Sequence, residues 1–285
     1  MKRFLWLLAL LGALLLSAAP VPADDGFYVV AGRPAVGTRI SRLPYTINAP
    51  GYYYLGGNLS YTKGHGITVN ADNVTIDLMG FTLTGPNMAN DYNGIYMSGR
   101  KNVEVRNGTL SGWYMGVKED YSGASRHRMI GIRAVGNRNG INLSGTSHLI
   151  KGCTALPGSF GATMGLAILG TGTVSDCITK DFDFGIYISS GTVSGNVVSD
   201  CANGIYAQGS TVISHNSVRA CPFGINSSGG GSIIGNIVFT GVGQTGILLS
   251  TSLDIPNLLD QNLVGPAGTH YGGGSAATVR GVNGG

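Results

Sequence analysis

Nine times between residues 66 and 246, a glycine is followed at once by an aliphatic residue and a short strand-like run: "HGITV", "NGIYM", "MGVKE", "NGINL", "MGLAI", "FGIYI", "NGIYA", "FGINS" and "TGILL". The glycines are Gly66, Gly94, Gly116, Gly140, Gly165, Gly185, Gly204, Gly224 and Gly246, spaced by 28, 22, 24, 25, 20, 19, 20 and 22 residues. Self-similarity at this period marks a solenoid, because a unit of about 20 residues cannot bury its own apolar side and must stack on copies of itself. Glycine reaches 48 of 285 residues without a Gly-X-Y period and with only 10 prolines, which excludes a collagen-like chain. The repeat glycines are expected to mark turns.

Within each repeat the apolar residues alternate over three to five positions, as Ile186 and Ile188 do around Tyr187, and helix formers are few. That is strand periodicity. A second segment follows each glycine motif, with an aliphatic residue, a small or polar residue three later, and another aliphatic or small residue two after that. Ile150, Cys153, Ala155; Val174, Cys177, Thr179; Val193, Asn196, Val198; Ile213, Asn216, Val218; Ile233, Asn236, Val238; and Leu259, Asn262, Val264 fit it. Stacked coils about 4.8 Å apart would make a rod about 38 Å long from the first of nine coils to the last. Asn196, Asn216, Asn236 and Asn262 are expected to form an internal amide ladder at one bend.

On these motifs the chain resembles the right-handed parallel β-helix superfamily typified by pectate lyases, and within it exported bacterial repeat proteins with the "NGI" and "I..N.I" coil pattern. The resemblance covers about residues 47 to 264 and implies an all-β, right-handed parallel β-helix of about nine coils with an N-terminal cap. It implies little about activity, since the fold hosts lyases, hydrolases, epimerases, tailspikes and adhesins.

The expected organisation is a signal peptide over residues 1–23, an aromatic-rich cap over 24–60, the β-helix over 61–264 and a Gly-rich tail over 265–285, in which Tyr271 could cap the far end. The signal reading rests on Lys2 and Arg3, the run "FLWLLALLGALLL", and Val21 and Ala23 placed for cleavage before Asp24. No later segment is long enough to cross a bilayer. Without Lys2 and Arg3, 16 basic residues (18 − 2) face 14 acidic ones. A net charge of +2 gives no footing for a nucleic-acid partner.

Cys153 and Cys177, and likewise Cys201 and Cys221, recur at equivalent positions of adjacent coils, open to stacked free thiols or to two bridges. No Cys-X-X-Cys occurs, so a zinc site has little support.

Function is expected on the outer side of the strands. The column two residues after each glycine reads Thr68, Tyr96, Lys118, Asn142, Ala167, Tyr187, Tyr206, Asn226 and Leu248. Tyr96, Lys118, Asn142, Tyr187, Tyr206 and Asn226 are candidate contacts to a polysaccharide or cell-surface glycan, although Tyr187 and Tyr206 could simply stack on each other. Nine of the basic residues lie between 100 and 151, against three acids. The alternative is therefore a uronate lyase or epimerase, with Lys118 as base and Arg126, Arg128 or Arg138 clamping the carboxylate. Calcium enters only there, on Glu119 and Asp120; otherwise no cofactor or metal is expected. "KGHGITV" is similar to a short polygalacturonase motif, but the paired aspartates of that family are missing, and His65 is expected to be a turn residue.

Overall fold

The computed structural model describes residues 37–87, 91–158, 161–249, 257–265, 269–272 and 277–279. The segments expected as signal peptide and as the start of the cap, and most of the Gly-rich tail with the side chain of Tyr271, lie outside the described residues. The chain forms an all-β parallel solenoid of about nine coils. Every ladder between named strands is parallel, and each strand pairs with its counterpart about one repeat away.

Each coil turns through three faces. The first carries the glycine motif, as in Asn93–Met97 and Asn203–Ala207; the second includes Val74–Asp77 and Thr211–Ser214; the third includes Thr82–Thr84 and Ile178–Lys180. Residues 38–60, within the segment expected as a cap, enter this pairing themselves: Thr38–Ile40 pairs with Gly51–Leu55 and Tyr45–Ile47 pairs with Ile67–Val69. Alternate residues point inward, so that Ile95, Val117, Ile141, Leu166, Ile186, Ile205, Ile225 and Ile247 form a fully buried aliphatic column.

The repeat glycines are not at turns. Each lies inside or just before a first-face strand, and from Gly66 to Gly224 none has a left-handed backbone. They are glycine because adjacent coils approach too closely for a side chain. A Cβ would stand 2.7 Å from the next coil's carbonyl oxygen at Gly94 and Gly116, 2.6 Å at Gly165 and 2.5 Å at Gly204 and Gly224. Trp113 exploits the same bare strip. It is fully buried, its Nε1 donates to Leu83 O at 3.0 Å, and its ring occupies the space that Cβ atoms on Gly85 and Gly94 would need.

One set of turns falls at the residue just before the internal ladder. Asn107, Gly131, Gly152, Asp176, Gly195, His215, Gly235 and Gln261 take this corner in successive coils, with φ between 52° and 67°. Glycine, Asn and Asp suit a left-handed corner, and His215 is there as a corner residue.

The ladder itself forms as expected and extends through Asn262. Nδ2 of Asn196, Asn216 and Asn236 donates to Oδ1 of the next Asn at 2.9, 2.9 and 3.0 Å, and their backbone N–H groups donate to the same oxygens. Cys177 tops the stack, its N–H donating to Asn196 Oδ1 at 2.9 Å.

Candidate functional site

The outer column of the first face is continuous and in register. Thr68 pairs with Tyr96, Tyr96 with Lys118, Lys118 with Asn142, Asn142 with Ala167, Ala167 with Tyr187, Tyr187 with Tyr206, Tyr206 with Asn226 and Asn226 with Leu248. Two clusters stand on it.

The upstream cluster is a layered stack. The His65 ring lies on Tyr96 at 4.6 Å and 15°, and Lys118 Nζ lies 6.0 Å from the Tyr96 centroid. Tyr96 Oη donates to Asp120 Oδ2 at 3.1 Å, and Lys118 Nζ is 3.5 Å from the same oxygen. Burial would raise the Asp120 carboxyl, but hydrogen bonds from Ser98 and Tyr96 and the Lys118 ammonium outweigh it and hold the group below its ordinary range. His65 Nδ1 accepts the Asn93 N–H at 3.0 Å, so the neutral ring carries its proton on Nε2. Burial, and next the charge of Lys118, push His65 below its ordinary range against an opposing pull from Asp120. His65 is thus a stacked ring bridging coils.

The downstream cluster is uncharged. Tyr187 and Tyr206 stack at 5.4 Å and 25°, and Phe184 meets them edge-on at 5.8 and 5.3 Å. Rings stacked along the column present edges and hydroxyls to solvent. Tyr206 is partly exposed and Asn226 follows it, while Asn142 and Ala167 form a low, buried saddle between the clusters. Asn142 Nδ2 is turned to Met164 Sδ at 3.8 Å, so it is the least available of the six expected contacts.

The basic residues do not converge. Arg138 lies at the other edge of the first face, over the Tyr114 ring at 5.0 Å, with Nε donating to Gly161 O. Arg126 occupies the left-handed corner leading into the second face, and Arg128 pairs with Glu104 on that face at 3.4 Å. Lys118 has Asp120 beside it rather than a guanidinium. Glu119 and Asp120 do not converge either: Asp120 lies with Lys118 and Tyr96 on the outer side. Glu119 faces the interior and is 1% exposed.

That interior carboxylate begins a buried polar chain. In its inward column the equivalents are Met97, Leu143, Ile168 and Ile188. Glu119 accepts the N–H groups of Gly99 (2.8 Å), Arg100 (3.2 Å) and Tyr121 (2.9 Å), and its Oε2 is 3.3 Å from His127 Nε2. His127 Nδ1 accepts the Val103 N–H at 3.2 Å, which puts the ring proton on Nε2, facing Glu119. His127 N–H donates to Nδ1 of His148 at 3.1 Å; His148 in turn donates from Nε2 to Ser144 O at 2.9 Å. The two rings stack at 4.9 Å. Burial would raise Glu119, but the hydrogen bonds from His127, Tyr121, Gly99 and Arg100 outweigh it and hold the carboxyl low. Burial first, then His127, depresses His148 to about 4. The signal for this chain was in the repeat alignment, where "MGVKE" alone places a charge three residues after the glycine.

The four cysteines are buried free thiols. Cys153 N–H meets Cys177 Sγ at 3.3 Å and Cys201 N–H meets Cys221 Sγ at 3.4 Å, so each pair stacks across adjacent coils. The partner sulfur, with burial behind it, raises the Cys177 and Cys221 thiols far above their ordinary range.

Among solved structures the chain is similar to the Dettilon tailspike protein gp208 (12% identity, TM-score 0.59, covering 80% of this chain and 54% of that one). It is also similar to the catalytic domain of a GH87 α-1,3-glucanase in complex with tetrasaccharides (10%, 0.51, 80% and 53%). The chain therefore spans about half the length of both structures, and the likeness is one of fold. A search of curated proteins returned no match. A family profile described as "periplasmic copper-binding protein (NosD)" matches residues 45–263, nearly the whole solenoid. With that match over most of its length, and with the parallel solenoid that accounts for its repeat, this chain belongs to the NosD family.

Proposed function

We propose that this chain is an exported, noncatalytic β-helix that binds an extended polysaccharide along the outer side of its first face. The observation that carries the reading is the in-register outer column, in which Tyr96 and Lys118 above the saddle and Tyr187, Tyr206 and Asn226 below it stand on one side of the solenoid. Hydroxyl-rich ligands are held by such groups, and ring edges add apolar contact. Export agrees with the family's periplasmic description and with the secretory pattern of residues 1–23. The glucanase seen with tetrasaccharides supports the capacity of such solenoids to present a glycan surface.

The family description also names copper, and the described donors do not fit it. Among the described residues no three His, Cys, Asp or Glu side chains converge to hold a metal. The cysteine sulfurs are buried and turned to backbone carbonyls, Cys177 to Ser175 O at 3.0 Å and Cys221 to Arg219 O at 3.2 Å. His65, His127 and His148 each commit Nδ1 to a backbone N–H. Copper needs several thiolate or imidazole donors meeting at one point, and the described residues bring no three together, so no part of the reading runs through the metal.

The test is a glycan array followed by calorimetry on the polysaccharides that bind. Tyr206→Ala should weaken binding about threefold to tenfold, in line with the loss of one ring contact, with no release of reducing ends or unsaturated sugars by either protein. Turnover of any bound glycan, or binding indifferent to Tyr206→Ala and Tyr187→Ala together, would reject the reading.

A further inference from the structure

The buried chain behind the upstream cluster has no role in ligand contact, yet it ties three backbone N–H groups and two histidines to one interior carboxylate. Glu119 replaces an aliphatic residue in an inward column and gathers three backbone N–H groups from two loops. Gly99 and Arg100 belong to the loop leaving one first-face strand, and Tyr121 to the loop leaving the next. Those loops border Ser98 and Asp120 of the outer cluster. On the other side Glu119 is held by His127, and His127 by His148.

The direction of every hydrogen bond in this chain is determined. A backbone N–H can only donate, so Nδ1 of both histidines must be unprotonated and both protons must lie on Nε2. A further proton on His148 has one place to go, Nδ1, where it would face the His127 N–H that now donates to it. A proton on His127 Nδ1 would likewise face the Val103 N–H. Protonation therefore sets a donor against a donor and is disfavoured while the chain is closed. The titratable groups facing one another here are Glu119, His127 and His148. Lys118 and Asp120 project from the opposite side of their strand, and the Arg100 guanidinium is turned to the carbonyl oxygens of Ser98 and Asn70.

We propose that Glu119, His127 and His148 form a proton-sensitive latch that holds loops 98–100 and 120–122 against the solenoid and releases them on acidification. The proposal goes beyond the glycan reading and stands whatever the outer face binds. The sign follows from linkage. His148 is depressed in the closed state, so the latch is fully stable above the ordinary histidine range and loses stability as pH falls toward the closed-state value of about 4. Glu119, also held low, adds to the loss in the same direction once pH falls through the ordinary carboxylate range.

Hydrogen exchange with mass spectrometry, expressed as protection factors to remove the intrinsic pH dependence, reads the latch directly. With His148 shifting from about 6.5 when open to about 4 when closed, the latch opens about 20-fold more often at pH 5 than at pH 7. Peptides covering 98–102 and 120–128 should lose protection by that factor, while peptides over the Asn ladder keep theirs. His148→Asn should abolish the loss, since an amide oxygen can accept the His127 N–H as Asn216 accepts that of Asn196, and it takes no proton. Unchanged protection of the two loops down to pH 5, or an equal loss in His148→Asn, overturns the proposal. Should that variant fail to fold, imidazole nitrogen spectra of the wild-type protein decide. Neutral Nε2–H tautomers for His127 and His148 at pH 7 support the latch, and a charged His148 ring at pH 7 overturns it.

Discussion

Gly204→Ala should destabilise the solenoid by about 3 kcal/mol, at the upper end of what overpacking a closed core costs. The added methyl group would lie 2.5 Å from Gly224 O and 2.5 Å from Val218 Cγ1, and 3.3 Å from Cys221 Sγ. The first two distances are shorter than real Cβ contacts allow, and the carbonyl belongs to a ladder that cannot retreat without lengthening its own hydrogen bonds. The strain is steric rather than conformational, because Gly204 has no left-handed backbone. Urea unfolding followed by far-ultraviolet circular dichroism measures the change. Gly57→Ala is the matched control: no atom lies within 4 Å of its added Cβ and its backbone is not left-handed, so it should stay within about 0.5 kcal/mol of wild type. Equal stability of Gly204→Ala and Gly57→Ala would refute close approach as the reason for the repeat glycine.

Asn216→Asp should cost more, about 4 kcal/mol, because it buries a charge as well as removing a donor. Asn216 Nδ2 donates to Val193 O at 3.0 Å, Ser214 O at 3.1 Å and Asn236 Oδ1 at 2.9 Å. A carboxylate oxygen in that place would face three acceptors with no proton to offer. Asn216→Ala avoids the charge but orphans the Asn196 N–H and Val193 O, and about 3 kcal/mol is expected. The order wild type, Ala, Asp at pH 7 separates the two causes, and near pH 4 protonation should bring the Asp variant closer to Ala. An Asp variant as stable as wild type at pH 7 would mean that the ladder is open to water.

The repeat, the strand alternation and the outer column from Thr68 to Leu248 were legible in the sequence, because each follows from spacing along a single strand. The Asn ladder was legible for the same reason: four amides at one offset in consecutive repeats have one shared environment. The glycines were misread as turns. Their true constraint is the carbonyl of a neighbouring coil some 20 residues away, which no local pattern displays. The inward place of Glu119 is itself written in the strand alternation, since the step that turns Lys118 outward turns its neighbour inward.

Strand periodicity and repeat length by themselves determined that this chain stacks parallel coils, and which side chains share a column, since both are properties of i, i+2 alternation and of a recurring unit. Only the tertiary structure decided which columns meet. It set Lys118 beside Asp120 and Tyr96 and apart from Arg126, Arg128 and Arg138, and it joined Glu119 to His127 across a bend. Those encounters depend on where each coil turns and on the angle between its faces, and the corners are left-handed residues whose three-dimensional consequence appears only when the coil closes on itself.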